Sequence, residues 1–151
     1  MDGNLQANTD SNNAKLVSEM EIEATVENYP LVEEFMEENL EKAECPMKAQ
    51  MEINIAVEEI FVNIAHYAYT PDKGNATVRV EVLEDPVIVK ITFIDQGRPY
   101  DPLAKEDPDI TLSARDRQIG GLGIFLTKSI MDNIVYTYRD GQNILELKKN
   151  L

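Results

Sequence analysis

The stretch MEINIAVEEIFVNIAHYAY, residues 51–69, decides how the rest of the chain is interpreted. It contains no glycine and no proline and is rich in good helix formers, so it predicts a helix. Glu59 and Asn63 lie four residues apart and share one stripe of that helix with Ile55. The apolar residues of the opposite side are expected in the core: Ile53, Val57, Ile60, Phe61 and Ile64. A carboxylate and a carboxamide thus interrupt an apolar helix, either as an ordinary solvated face or as part of a site.

The composition is that of one soluble globular domain. The chain has 151 residues, 43% of them hydrophobic and 28% charged, which is enough for one core. Its net charge of -14 argues against nucleic acid, because phosphate binding needs clustered Lys and Arg. A basic protein partner is compatible with that charge.

Cysteine and histidine are too rare for several kinds of site. A single cysteine, Cys45, excludes an internal disulfide, and the single His66 cannot form a multi-histidine metal site. The sequence shows no signal peptide and no apolar run of about 18 residues. We therefore expect a cytoplasmic protein that does not bind membranes.

Periodicity divides the chain into predicted strands and helices. Residues 1–17 are rich in Asn, Asp and Gly and are expected to be a disordered leader, with residues 18–151 as one domain. Alternation predicts strands at 20–27, 77–83, 87–94, 134–139 and 143–149, and helical spacing predicts helices at 30–43, 51–69 and 121–133. Asn28 is a candidate helix cap, and Asp140-Gly141 predicts a tight hairpin. The sum is an α/β (α+β) sandwich: one mixed, mostly antiparallel sheet with three helices on one face.

Two further motifs lie where a strand or a loop ends. Asp95-Gln96-Gly97 follows the most continuously apolar strand, where a carboxylate can reach a ligand, although the same tripeptide is also a plain turn. Gly120-Gly121-Leu122-Gly123 opens the last helix, where glycines and free N–H groups suit a phosphate; a flexible loop is the alternative. Residues 95–120 show no periodic element, and a segment of this length in a compact domain usually has a functional reason.

The order of these motifs is more specific than any one of them. Glu-x-x-x-Asn on a helix, Asp-x-Gly after a strand and Gly-Gly-Leu-Gly into a helix resemble the GHKL ATPase superfamily of gyrase, histidine kinases and MutL. Within it, the chain is similar to the anti-sigma factor serine/threonine kinases, which have the Bergerat-type ATP-binding fold. The likeness is carried by EEIFVNIAHYAY at 58–69, DQGRPYDP at 95–102 and GGLGIFLTKSIMD at 120–132.

The resemblance implies that the chain binds ATP and Mg²⁺ through the helix motif. Asn63 matches the asparagine that coordinates Mg²⁺ bridging the nucleotide phosphates. Glu59 matches the carboxylate that acts as general base on the attacking hydroxyl or water. One asparagine carbonyl is enough protein ligation, because Mg²⁺ retains several waters beside the phosphates. In phosphoryl transfer the protein mainly positions the reactants, stabilises charge and supplies one base.

The later motifs match the base-binding and lid positions of the family. Asp95 matches the aspartate that accepts the adenine amino group, and Gly97 lets the base lie against the backbone beside it. Gly121 and Gly123 match the glycines at the hinge of the ATP lid, with Leu122 between them. The lid itself is expected at residues 101–120. Its Arg115 and Arg117 could neutralise the γ-phosphate or could be surface charge.

Two positions depart from the family pattern. Family members often carry a histidine four residues after the asparagine; here Tyr67 stands there, and His66 is turned by about 100° on a helix. We therefore assign no functional role to His66 and expect its side chain to face solvent or to pack against the protein. Relatives often show Gly-Thr-Thr near the last strand, where this chain has Gly141-Gln142-Asn143. Asn143 is thus the candidate for that polar contact.

The resemblance implies a protein kinase that regulates transcription. Such a protein phosphorylates a STAS-type anti-anti-sigma antagonist and otherwise sequesters a sigma factor. A nucleotide-dependent regulator that binds its partners without phosphorylating them is the alternative, because one pocket serves both; Glu59 favours catalysis, since binding alone needs no base. Relatives are typically homodimers, so a homodimer is expected, with the first strand and first helix as candidate surfaces.

Overall fold

The computed structural model of the chain describes residues 14–104 and 121–151. Five strands and three helices make up the fold. The strands are β1 (Ala14–Glu23), β2 (Asn75–Leu83), β3 (Ile88–Asp95), β4 (Asn133–Arg139) and β5 (Gln142–Asn150). The helices are α1 (Tyr29–Lys42), α2 (Met47–Tyr67) and α3 (Gly121–Ile130). Single 3-10 turns lie at Val26–Asn28 and Pro102–Ala104.

The strands form one sheet in the order β1-β2-β3-β5-β4. This confirms the predicted sandwich and the central place of β3. The prediction allowed for a mixed sheet, but each pair of neighbouring strands in the described ranges is antiparallel. The pairing of β3 with β5 sets Asp95 directly opposite Asn143. Two polar residues far apart in the sequence therefore meet at one end of the central strands.

The core lies between the sheet and the helices. Fully buried side chains of α2, among them Val57 and Phe61, share one hydrophobic cluster with the inward residues of β2, β3 and β5. The inward strand residues in that cluster are Ala76, Val78, Val80, Val82, Val89, Ile91, Phe93, Leu145 and Leu147. The opposite face of the sheet carries ion pairs instead, such as Arg79 with Glu19 at 2.7 Å. One covered face and one charged face explain the period-two pattern of the strands.

Lys149 of β5 fixes the C-terminal end of α3. Its Nζ donates to the carbonyl oxygen of Ile130 at 2.7 Å and lies 3.4 Å from Oε2 of Glu52 on α2. A cation is favourable at this end of a helix, where carbonyl groups lack partners. The contact ties the end of α3 to both α2 and the sheet.

Several predicted boundaries are wrong. The first strand was expected at 20–27, but β1 runs from Ala14 to Glu23, so residues 14–17 of the expected leader are strand. The reason is that β1 pairs along its whole length with β2, from Ala14 opposite Leu83 to Glu23 opposite Asn75. Helix α2 begins at Met47 directly after Cys45-Pro46, and α3 ends at Ile130 instead of residue 133. Residues 1–13 lie outside the described part of the chain.

The two predicted turn signals have different outcomes. Asp140 and Gly141 have φ values of 54° and 78°, which confirms the tight hairpin between β4 and β5. Asn28 does precede α1, but its side chain makes no capping bond. Its Nδ2 donates instead to the carbonyl oxygen of Glu23 at 2.9 Å, closing the turn after β1.

The helices of the described ranges include none that is long and apolar enough to cross a membrane.

Tyr69 joins the end of α2 to the ends of β2 and β3. Its hydroxyl donates to the carbonyl oxygen of Asn75 at 2.6 Å and accepts from the N–H of Gln96 at 2.7 Å. Tyr69→Phe should lower the free energy of unfolding by about 1 kcal/mol, because both backbone groups lose this partner. Urea denaturation would measure the change, with the exposed Tyr138→Phe as control. Equal midpoints for the two variants would show that the hydroxyl contributes nothing.

Candidate functional site

A cleft that is partly open to solvent lies between α2 and the ends of β3, β4 and β5. Most of its lining is apolar or aromatic: Ile60, Ile64, Tyr67, Ala68, Phe93, Tyr100, Pro102, Tyr136 and Leu145. The amide and carboxylate groups in the lining come from Asn63, Asp95 and Asn143. An apolar cleft with a few convergent polar groups is typical of binding sites for small molecules.

Asp95 ends β3 at the bottom of the cleft and is 6% exposed. Its Oδ1 accepts two hydrogen bonds of 2.9 Å, from the N–H of Gly97 and from Nδ2 of Asn143. Within the described residues no donor reaches Oδ2, so that oxygen can accept from a ligand. Burial raises the pKa of Asp95, and the hydrogen bonds from Asn143 and Gly97 oppose that rise.

Keeping Asp95 ionised in this position costs stability near neutral pH. Because its pKa is raised in the folded state, the carboxyl group contributes most below its unfolded pKa, and that contribution is lost as the pH rises through the folded pKa. Asp95→Asn should therefore gain stability relative to the unaltered chain as the pH rises from the acid range to 7. Urea denaturation of both proteins across that range measures the difference. A difference that is independent of pH would contradict a raised pKa.

Asn143 is a buried junction of hydrogen bonds, at 7% exposure. Its Nδ2 donates to Asp95 Oδ1 and to the carbonyl oxygen of Arg98, both at 2.9 Å. Its Oδ1 accepts from the N–H of Tyr100 at 3.1 Å and from the hydroxyl of Tyr136. The sequence suggested only a polar contact here, and the pairing of β3 with β5 is the signal it lacked. The structure brings Asn143 together with Asp95.

Gly97 follows Asp95 in the turn after β3 and packs on the end of α2. A Cβ added at Gly97 would overlap the carbonyl oxygen of Ala68, and the N–H of Arg98 donates to that same oxygen at 3.0 Å. Glycine is therefore required here by contact with the protein itself. That a base also lies against Gly97 stays a prediction.

Glu59 and Asn63 lie together on α2, as their spacing predicted. Nδ2 of Asn63 donates to Oε1 of Glu59 at 3.2 Å. The carboxylate of Glu59 also packs against Gly123 in the first turn of α3, so closely that a Cβ at Gly123 would overlap it. A carboxylate is favourable at the start of a helix, where N–H groups lack partners. The absence of a side chain at Gly123 thus permits the approach of α3 to Glu59.

The side-chain oxygens of Glu59 and Asn63 fit a hard cation such as Mg²⁺. The amide nitrogen of Asn63 is directed to Glu59, so its Oδ1 is the atom that can ligate a metal. An anion beside it, such as a phosphate, would meet the start of α3. Asn63 lines the cleft that also contains Asp95.

The predicted lid and its hinge lie mostly outside the described residues. Gly121 and Leu122 lie in the first turn of α3, and nothing of their side chains is described. Arg115, Arg117 and residues 105–120 of the expected lid lie outside the described residues. The start of that segment is a 3-10 turn in which Oδ1 of Asp101 accepts from the N–H of Leu103 at 2.8 Å. His66 is exposed to solvent, as expected.

Comparison with known proteins identifies the family. The model of the histidine kinase-like ATPase domain matches residues 22–149, which is most of the chain. The chain belongs to this family. That family membership agrees with the order of the helix, strand and glycine motifs, while the roles of Glu59, Asn63 and Asp95 stay predictions.

Two curated relatives within the histidine kinase-like ATPase family are named as kinases. The serine/threonine-protein kinase BtrW of Bordetella bronchiseptica is 30% identical over 95 residues, or 63% of this chain and 66% of that protein. The serine-protein kinase RsbW of Listeria monocytogenes is 28% identical over 102 residues, or 64% of each chain. This chain therefore spans slightly less than two thirds of the length of either relative. The two names describe those proteins.

Two solved structures of low sequence identity share the fold. The RsbU and RsbW domains of a Mycobacterium tuberculosis protein superpose with a TM-score of 0.61 at 17% identity, covering 87% of this chain and 32% of that one. The SiaB-SiaC complex of Pseudomonas aeruginosa gives a TM-score of 0.54 at 15% identity, covering 98% and 96%. Both show that this histidine kinase-like ATPase chain has a fold already known from solved structures.

Proposed function

We propose that this chain is an ATP-dependent protein serine/threonine kinase that phosphorylates a STAS-type antagonist of a sigma factor in the cytoplasm. The observation that carries the proposal is that Asp95 and Asn63 line one cleft, and that Asn63 is hydrogen-bonded to Glu59, which contacts the first turn of α3. A binding module has no need of a carboxylate at the phosphate end of the cleft. The names of the RsbW and BtrW relatives support the same activity.

The cleft accounts for the binding of ATP. The adenine ring lies between the apolar walls, and Oδ2 of Asp95 accepts a hydrogen bond from its amino group. The triphosphate extends toward Asn63 and the start of α3, where helix N–H groups favour an anion. Oδ1 of Asn63 would hold Mg²⁺, and the bound ion would neutralise phosphate charge during transfer. Two observations support these placements: Asp95 and Asn63 line the same cleft, and Glu59, the hydrogen-bond partner of Asn63, contacts the first turn of α3.

Glu59 is proposed to act as the base. Its carboxylate takes the proton of a serine or threonine hydroxyl as the hydroxyl oxygen bonds to the γ-phosphorus and the bond to ADP breaks. The amide of Asn63, 3.2 Å away, orients the carboxylate. Gly123 leaves room for the carboxylate at the start of α3. Base, metal ligand and phosphate site are therefore adjacent.

The surface of α2 supports a protein as the acceptor. Met47, Met51 and Ile55 are 69%, 61% and 49% exposed, and they are spaced four residues apart. The next position of the same stripe is Glu59. Exposed apolar residues that lead to a proposed base suit a protein acceptor better than a small polar one.

We further propose that the chain sequesters the sigma factor and forms a homodimer. Strand β1 lies at one edge of the sheet, and no other described strand pairs with its outer side. Such an edge is a surface on which a second strand can add. Light scattering of the purified protein measures the oligomeric state; a monomer at all workable concentrations would contradict the dimer.

Mass spectrometry of the acceptor tests the kinase. The chain is incubated with ATP, Mg²⁺ and, one at a time, STAS-domain proteins from the same genome. One of them should gain the mass of a single phosphoryl group and lose the gain when its acceptor serine or threonine is changed to Ala. A stable complex without any mass gain would favour the alternative, a regulator that binds and does not phosphorylate.

A further inference from the structure

We propose that Asn143 is a positioning residue for base recognition: its amide occupies one oxygen of Asp95 and holds the carboxylate so that the other oxygen faces the ligand. The inference rests on the proposed binding of ATP and adds a residue to base recognition. It is carried by the hydrogen bonds around Asn143, which connect β5, β3 and the turn after β3.

The orientation of the Asn143 amide is determined by its partners. Its Nδ2 is surrounded by acceptors: Oδ1 of Asp95 and the carbonyl oxygens of Gly97 and Arg98, at 2.9, 3.4 and 2.9 Å. Its Oδ1 accepts from the N–H of Tyr100, which can only donate, and from the hydroxyl of Tyr136. Turning the amide over would set donor against donor and acceptor against acceptor. The group of Asn143 that faces residue 95 is therefore always the N–H donor.

This fixed donor assigns the two oxygens of Asp95. Oδ1 accepts from Asn143 Nδ2 and from the N–H of Gly97, each at 2.9 Å. Asp95 lines the cleft and Oδ2 has no donor among the described residues, so we assign Oδ2 as the oxygen that a ligand meets. Oδ2 can therefore accept a hydrogen bond from an amino group of a ligand. A carbonyl oxygen at the same place would be repelled, because both atoms are acceptors.

Asn143 also holds the turn after β3. The carbonyl oxygen of Arg98 and the N–H of Tyr100 both bond to its amide, at 2.9 and 3.1 Å. Tyr100 and Pro102, a few residues further on, line the cleft. The buried side chain of Asn143 thus holds both the Asp95 carboxylate and the backbone that leads to Tyr100 and Pro102 in the lining of the cleft.

Asp95→Asn makes the assignment testable. Asn143 and Gly97 both donate to position Oδ1, so the new amide must place its oxygen there and direct its nitrogen into the cleft. The group facing the ligand changes from an acceptor to a donor. Inosine triphosphate carries a carbonyl oxygen where ATP carries the amino group, so the variant should prefer it.

The experiment compares the affinities of ATP and inosine triphosphate by calorimetry. The unaltered chain should bind ATP at least about tenfold more tightly, and Asp95→Asn should reverse that preference by about tenfold, since one hydrogen bond to a buried group is exchanged. The second arm repeats Asp95→Asn in an Asn143→Ala background, where only Gly97 still selects the orientation. In that background, the change that Asp95→Asn makes in the ratio of the two affinities should be smaller by roughly threefold or more.

Asn143→Thr is a second background in case the alanine variant fails to fold. Threonine suits a strand, and its hydroxyl can donate or accept, so it does not dictate the orientation of the amide introduced by Asp95→Asn. The reversal should again be smaller. Asn133→Ala, at an exposed position that begins β4, is the matched control and should leave it unchanged. Thermal unfolding of each variant confirms that the domain is intact.

The outcomes separate the inference from the proposed function. If the unaltered chain does not bind ATP, the proposed function fails. If it binds and prefers ATP but Asp95→Asn changes the ratio equally in every Asn143 background, the positioning role of Asn143 is wrong while the function stands. A smaller reversal in the Asn143→Ala or Asn143→Thr background, with Asn133→Ala unchanged, supports the inference.

Discussion

Glu59→Gln is expected to lower the rate of phosphotransfer by roughly 100-fold to 10,000-fold, the usual contribution of a general base. The amide keeps the size of the carboxylate and can still accept from Asn63 Nδ2, so ATP should bind with an affinity within about twofold of that of the unaltered chain. The measurement is the initial rate at which the protein acceptor gains phosphate, with calorimetric titration of ATP beside it. A loss in rate without a loss in affinity assigns the effect to the chemical step.

Glu58→Gln is the matched control for this variant. Glu58 is the neighbouring residue of the same helix and is exposed, and its substitution removes the same charge from the same region. The rate of this variant should stay close to that of the unaltered chain. Equal losses in both variants would mean that charge near the cleft matters and that Glu59 is not the base.

Asn63→Ala is expected to remove the dependence of ATP binding on Mg²⁺. With Oδ1 gone the protein contributes no amide ligand to the cation, and affinity in Mg²⁺ should fall by at least about 10-fold to 100-fold, the range found even for residues that only support metal ligands. Affinity measured without Mg²⁺ should change much less. Calorimetric titrations with and without Mg²⁺ give both values.

Asn54→Ala tests whether the effect is specific to the site. Asn54 is on the same helix nine residues earlier, and nine residues at 3.6 per turn reach the opposite side. The substitution is chemically identical but lies away from the cleft. Binding should therefore keep its Mg²⁺ dependence in Asn54→Ala, and a loss in both variants would point to general damage of α2.

The sequence was sufficient where periodicity carries the information. Alternation located the strands, and the four-residue spacing of Glu59 and Asn63 placed both on one stripe, which the hydrogen bond between them confirms. Asp95 was singled out because it ends an apolar strand shortly before Gly97, a pattern that is also a plain turn, and its role was assigned only through the family resemblance. These signals are local, so they can be interpreted without knowing what the segment packs against.

The sequence was insufficient where contacts join distant segments. Asn143 and Asp95 meet only because β5 pairs with β3 in one register, and periodicity does not contain that register. The need for glycine at position 97 comes from Ala68 at the end of α2, not from a motif. Similarly, β1 extends to Ala14 because its partner β2 is long enough to pair with it.

The measurement that tests the account most directly is a calorimetric titration of ATP into the unaltered chain, with and without Mg²⁺. The account predicts saturable binding of one ATP per chain that is tighter with Mg²⁺ and is weakened by Asp95→Ala. Absence of binding at any workable concentration would contradict it. The fold would then have been retained without its chemistry, and the chain would be a protein-interaction domain.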